Sequence, residues 1–521
     1  MRWVDDEMFR RLLVIPSLTR DTSLVQRTPD WPDWPPPRTR VSGALFEERP
    51  ALRKLAVLAD AELLAAVDDS TPSRTVLLTG LLAHPYIKAL RYRDEGPPAD
   101  MPRRSYGPPE AGLSVAEGWA ELLPPDRGGV YGAQYVDGPS IQHKAVYGES
   151  AARARTIGSA AYRDRDWEAA ADQRERDLLA AEVAQAVGAD LFVTERPYLF
   201  ELPAPVAQGV TVCRTAEALA VVSLYLRSQH EFVLWCAADG TSERANEWLY
   251  YQIGAAALLP ESWRWSAGRT QAQSEEVREA LSGLSEALRQ RITRALRTRD
   301  SFHRVYSLPQ NRDAVRTMLV ELDELLVTLM GAVDVSARFV HILLGLPAKQ
   351  QSQAGWQRLD GWLAKVAEKD TALAALFESG TPLGHTMNIL VPLRNTIHSE
   401  AIRATMRQRG FTRDAPVKLP EKDEKRILDG MDALGGRQAW GAQTAPDKST
   451  VVDPGRFVEQ LFPKVMTLLN AVMEHTPGAS GTKQRRSSSE EHPWYNERNE
   501  LSIGWQLGFD QSVVLVPEAA N

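Results

Sequence analysis

Cysteine is almost missing: Cys213 and Cys236 are the whole complement of a 521-residue chain. Two thiols cannot build a disulfide framework or a structural zinc site, and a reducing cytoplasm suits such a chain. Positive charge is not in excess either. Lys and Arg number 61 against 68 Asp and Glu, a formal net charge of −7. That excludes a uniformly basic coat for nucleic acid but leaves room for a local basic groove. No run approaches the roughly 20 apolar residues of a bilayer span. The opening MRWVDDEMFRRLL carries acids and no apolar stretch of signal-peptide length. Also missing are a glycine-rich phosphate loop with lysine, Gly-x-Ser-x-Gly and His-Glu-x-x-His. The expectation is a soluble cytoplasmic protein with no membrane partner.

What is present is ordinary globular material, 43% hydrophobic and 25% charged, too long for one core. Residues 1–49 form a Trp/Pro-rich arm around DWPDWPPPRTR, which reads as a packing strap. Residues 50–240 alternate helical and strand-like pieces. LRKLAVLADAELLAAV has helical spacing, with room for a short strand at its start. RTVLLTGLL (74–82) reads as a buried strand, and residues 95–145 as a long loop region.

The clearest unit is RERDLLAAEVAQAVGADLFVTERPYLF (174–200). Leu178, Leu179, Val183 and Val187 recur at helical intervals, and Gly188 is the expected stop. LFVT (191–194) and GVTV (209–212) are strands, followed by a helix that Thr215 caps. This order predicts a three-layer α/β domain with a largely parallel sheet. Residues 241–310 read as a helical connector and 311–475 as an α-bundle. Within it, Val315, Met318, Leu319, Leu322, Leu325, Leu326 and Leu329 form one apolar stripe. Further helices are expected near 355–378, 385–408 and 454–475, with a polar loop over 409–450. Residues 476–493 read as a flexible linker and 494–521 as a strand-like segment.

In the bundle, LVPLRNTIHSEAIR (390–403) sets Arg394 and His398 four residues apart, on one helix face and about 6 Å apart at the backbone. An imidazole moves protons near neutral pH, an arginine holds phosphate bidentately, and Asn395 orients either. Together they are equipped to cleave RNA through its own 2′-hydroxyl. The bland alternative pairs Arg394 with an acid such as Glu400 and leaves His398 on a helix contact.

The stretch 311–475 resembles the HEPN superfamily of α-helical bundles. The resemblance rests on DELLVTLMGAVDVSARFVHILLGL, WQRLDGWLAKVAEKDTALAALF and LVPLRNTIHSEAI. It implies a metal-independent endoribonuclease assembled from two protomers, of the kind found in antiviral and toxin systems. Arg394 would bind phosphate, Asn395 would stand beside it and His398 would transfer the proton. The family commonly places a longer gap between the two than the three residues here, Asn395, Thr396 and Ile397. An RNA-binding or purely dimerising bundle is the alternative.

Residues 50–235 are similar to PIN-like nuclease domains, through DLLAAEVAQAVGADLFVTERPYLF and GVTVCRTAEAL. The likeness implies carboxylates holding Mg²⁺ or Mn²⁺ at the carboxyl end of the sheet. Asp177, taken to open its helix, matches one position. Glu195 lies one residue early, since Arg196 stands where the family has its acid, and Asp60 in VLADAELL is the third candidate. Asp172 and Asp190 read as surface charges, His84 as a satisfied loop histidine and the Trp263–Trp265 segment as interdomain packing. The expectation is therefore an RNA-binding endoribonuclease of defence or toxin type, a homodimer with room for a partner protein from such a system. The alternatives are a non-catalytic nucleic-acid sensor or dimerisation scaffold, and a metal-dependent nuclease centred on Asp177.

Overall fold

A computed structural model describes residues 54–509 except 65–72, 95–117, 126–129, 138–139, 147, 157, 203–206, 208, 237–241, 263–264, 266–273, 308–310, 358–360, 410–411 and 477–493. The N-terminal arm, KQRR (483–486) and residues 510–521 lie outside the described residues.

The α/β layer is built on a seven-stranded sheet, β1 (Leu55–Asp60), β2 (Ile87–Arg93), β3 (Gly118–Leu123), β4 (Tyr131–Asp137), β5 (Ser140–Val146), β6 (Leu191–Val193) and β7 (Thr211–Cys213). Their spatial order is β5-β4-β3-β2-β1-β6-β7. β3 to β7 through β2, β1 and β6 are parallel, and β4–β5 add an antiparallel edge hairpin. The order reverses between β1 and β6, which makes their carboxyl ends the crevice of the sheet. Side chains alternate across it. Val57 and Ala59 join a core under α2 (Arg74–Leu82) and α5 (Thr215–Ser228), whereas Leu58 joins the opposite core with α3 (Glu149–Ala154) and α4 (Trp167–Ala186). α1 (Ala61–Leu64) is a single turn after β1.

Several expectations are corrected here. RTVLLTGLL is helix, not strand. An apolar run does not separate the two by periodicity, and the cap decides, because Ser73 Oγ accepts from Val76 N at 3.1 Å. In LRKLAVLADAELLAAV the short strand allowed at its start extends over Leu55–Asp60, against the helical spacing expected to dominate there, and parallel neighbours on both sides fix it. The loop expected over 95–145 contains β3, β4 and most of β5; β3 pairs with β4 and β4 with β5 as antiparallel sequence neighbours, and β3 joins the parallel part of the sheet through β2. Arg214, not Thr215, is the N-cap of α5; Glu217 Oε2 accepts from the Arg214 backbone N–H. Gly188, at φ +74°, does end its helix.

The helical half contains α6 (Glu247–Leu258), α7 (Glu275–Ser307), α8 (Arg312–Leu343), α9 (Trp362–Lys369), α10 (Thr371–Ala375), α11 (Pro382–Ser399), α12 (Glu424–Ala433), α13 (Pro454–His475) and α14 (Glu497–Gln506). α7 and α8 lie against each other along their length, and α6, α11 and α13 close one large core around them. Residues 241–310 thus furnish part of that core. The apolar stretch in α8 is long and hydrophobic enough by composition to cross a membrane, contrary to the reading above, yet 72% of that window is buried in the protein.

Segment 409–450 is not a loop. It carries β11 (Thr412–Asp414), β12 (Val417–Lys418), α12, β13 (Ala442–Thr444) and part of β14 (Thr450–Val452); β10 (Arg407–Arg409) precedes it. The strand-like alternation after 494 is corrected too. Asn496 Oδ1 accepts from Asn499 N at 2.9 Å and starts helix α14. That helix packs on α5, α6 and β8 (Phe232–Cys236), which pairs with β9 (Ser242–Ala245). Ser502 Oγ donates to Leu234 O at 2.6 Å and Gln506 Nε2 to Val233 O at 3.0 Å.

Candidate functional site

Two of the three acids expected at the sheet crevice meet there, joined by one that the sequence did not reveal. Asp60 ends β1, Asp94 follows β2 and Asp177 projects from the middle of α4, ten residues into that helix rather than at its start. Between them lies Arg196, just beyond β6. Its Nε is 3.2 Å from Asp60 Oδ2, its Nη2 3.1 Å from Asp94 Oδ1 and its Nη1 3.5 Å from Asp177 Oδ1. The guanidinium also lies 5.5 Å from the centre of the Tyr92 ring.

Neutral donors engage the carboxylates as well. Thr194 Oγ1 donates to Asp60, Tyr92 Oη to Asp94 Oδ1 at 3.0 Å, and Tyr162 Oη to Asp177 Oδ2 at 2.5 Å. Gln173 Nε2 reaches Asp177 Oδ1 at 2.9 Å. Burial pushes Asp60 above the usual carboxylate range despite Arg196, and pushes Asp177 up despite the Tyr162 and Gln173 bonds. Burial would lower Arg196, but Asp60 and Asp94 outweigh it and hold the guanidinium firmly charged.

Glu195 takes no part. It is exposed, and its Oε1 accepts from Thr215 N and Oγ1 at 3.1 Å each, tying it to the start of α5. Glu195 and Arg196 both lie beyond the end of β6, and of the two Arg196 enters the crevice while Glu195 turns to α5. A divalent ion needs carboxylate lone pairs turned toward a common open centre. Here the guanidinium occupies that centre, Asp177 has no exposed surface, and the residues present do not fit a metal ion. Among the described residues no group of three His, Cys, Asp or Glu side chains is disposed to hold one.

The bundle candidates lie at the end of α11. The helix runs from Pro382 through Pro392 to Ser399, with Leu390, Val391 and Leu393 in the core. Arg394 is half-buried at the margin of that face, while Asn395 and His398 are exposed. Arg394 Nη1 donates to Asn395 Oδ1 at 3.2 Å. Glu400 does not pair with Arg394; its backbone N–H donates to Thr396 O as the helix ends. No carboxylate pairs with Arg394 among the described residues, and no hydrogen bond joins it to His398.

The remaining candidates fall to structural roles. Asp172 pairs with Arg155, but Asp190 is buried rather than superficial: its Oδ2 accepts from Ala56 N at 2.9 Å and ties β1 to β6. His84 is buried, with Nδ1 accepting from Tyr86 N at 3.2 Å. Trp265 stacks on Phe339 at 3.8 Å inside the helical core, so it is not an interdomain plate. A cleft of about 590 Å³ lies among α6, α7 and α8, lined by Trp248, Gln290, Arg294 and Glu321 among others, and none of the expected site residues borders it. Asp94 was the one missed member of the crevice. The signal for it, an acid directly after the mixed apolar and basic segment IKALRYR, lay at the edge of the supposed loop.

Comparison with protein-family models, with curated proteins and with solved structures gives no match for this chain.

Proposed function

We propose that the chain is a metal-independent endoribonuclease of defence or toxin type that acts at the α11 edge. The observation that carries this reading is the state of Arg394, steered by Asn395 and without a carboxylate partner among the described residues, one helical turn from an exposed His398. A surface arginine without an acid partner keeps its donors for a phosphate. The guanidinium holds the scissile phosphate. His398 takes the proton of the 2′-hydroxyl, whose oxygen attacks phosphorus as the 5′-oxygen leaves, giving a 2′,3′-cyclic phosphate and, after protonation, a 5′-hydroxyl. The cycle needs one proton acceptor and one donor, and each chain places one histidine at this edge. A homodimer supplies the second.

The test uses pure full-length protein, end-labelled RNA, EDTA and the variants His398→Ala and Arg394→Ala. Cleavage that survives EDTA, leaves cyclic phosphate and disappears in both variants is the expected result. Metal-dependent cleavage, or cleavage untouched by His398→Ala, overturns it. A second reading, a non-catalytic RNA sensor or dimerisation scaffold, is favoured by the missing hydrogen bond between Arg394 and His398. RNA binding that depends on Arg394 without any cleavage selects it.

A further inference from the structure

We infer that Arg196 is a resident internal cation standing in for a divalent ion, so that the α/β crevice is cross-linked by a side chain and takes no exchangeable metal. The inference is independent of the α11 reading. Three carboxylates from three elements converge at the switch point of a parallel sheet, an arrangement whose mutual repulsion calls for a cation. The guanidinium supplies it: Nε serves Asp60, Nη2 serves both Asp60 and Asp94, and Nη1 approaches Asp177. The carboxylates' other contacts go to Thr194, Tyr92, Tyr162 and Gln173, donors that compete with a metal for the same lone pairs.

The backbone also fixes the plug. Arg196 N donates to Thr194 Oγ1 at 3.1 Å, and that hydroxyl donates onward to Asp60, so residue 196 is anchored against the very carboxylate its side chain pairs with. Arg196 therefore joins the ends of β1, β2 and β6 to α4, the cross-linking task an ion would otherwise perform. A side-chain cation differs from an ion in one way that can be measured: it cannot be removed by a chelator.

The experiment follows thermal unfolding and Mn²⁺ binding, by electron paramagnetic resonance, in full-length wild type, Arg196→Ala, Arg196→Asp and Asp177→Asn. Wild type should bind no Mn²⁺ that Asp177→Asn removes, and its midpoint should be the same in EDTA and in millimolar Mn²⁺. Arg196→Ala should unfold several degrees lower. Arg196→Asp should unfold lower still in EDTA, and Mn²⁺ should bind it and restore part of the loss. A wild-type Mn²⁺ site abolished by Asp177→Asn overturns the inference, as does an Arg196→Asp protein that folds yet ignores Mn²⁺. Should Arg196→Asp not fold, the wild-type resonance and the Arg196→Ala midpoint still decide, and an unchanged Arg196→Ala midpoint overturns the claim.

Discussion

Arg227 and Asp300 meet fork to fork across the boundary between the sheet and the helices. Nε reaches Oδ2 at 2.5 Å and Nη2 reaches Oδ1 at 3.0 Å, both side chains buried. Arg227 Nη1 also donates to Tyr250 Oη and to Gln506 O, each at 3.2 Å, and Tyr251 Oη donates to Asp300 at 2.8 Å. One ion pair thus joins α5, α6, α7 and the last turn of α14. Removing one partner leaves the other charged and buried, so Arg227→Met and Asp300→Asn should each cost about 3–5 kcal/mol in denaturant unfolding. Equal stability of either variant and wild type contradicts the assignment.

The same pair fixes an acid limb. Burial alone would raise Asp300, but Arg227, with further help from Arg299 and Tyr251, holds it below its ordinary 3.8. A depressed carboxylate stabilises the fold fully above its unfolded value and loses that contribution as pH falls through its folded value. Acid unfolding of wild type should therefore steepen below about pH 4. In Asp300→Asn that part of the profile should flatten, as read by circular dichroism across a pH series.

Glu182 predicts the opposite slope. It sits on α4 with a buried Oε2 that makes no hydrogen bond, and burial pushes its carboxyl up to about 7. An acid whose folded value is raised favours the fold while protonated. Its contribution is complete below the ordinary 4.5 and declines as pH rises through 7. Glu182→Gln should raise the thermal midpoint at pH 8 and leave it nearly unchanged at pH 4. A lower midpoint at pH 8 refutes the account.

Position 394 separates charge from shape. Arg394→Lys keeps the positive charge but loses the planar fork. If a bidentate phosphate contact drives cleavage, this variant should fall well below wild type, while His398→Ala falls by about 10²–10⁴-fold. Single-turnover rates on a defined RNA measure both. Full activity of Arg394→Lys removes the bidentate contact from the mechanism.

Trp265 carries a test of packing against recognition. Stacked on Phe339 and buried, it should cost about 3–5 kcal/mol when replaced by alanine. RNA affinity measured on the folded fraction should not change. A loss of affinity without a loss of stability would mean that the indole faces ligand instead.

The parts of this fold that could be read from the chain are those governed by local chemistry. α4, its terminal Gly188 and strand β6 follow one another in twenty-odd residues, each with its own signal. RTVLLTGLL misled because a run buried on all sides carries no period. The tryptophan and isoleucine of LSIGWQLG imitate a strand, and only the Asn496 cap and the burial of Trp505 beneath α5 settle it as helix. Strands β3 to β5 were hidden by the proline- and glycine-rich composition of 95–145, which reads as loop, although β3–β4 and β4–β5 pair with their sequence neighbours. The crevice was half legible: Asp60 and Asp177 could be named, and so could the arginine in place of an acid. That this arginine bridges them, and that Asp94 completes the set, depends on parallel strand neighbours that no short motif encodes.

Helix α14 has a consequence for synthesis. Ser502 reaches Leu234 across 268 positions, and Trp505 seals apolar side chains of the sheet's α5 face. A nascent chain that has emerged only as far as β8 would therefore present that face to chaperones, open and sticky. The sheet is laid down early, but its α5 face can be closed only after α14, 268 positions beyond Leu234 at Ser502, has been made.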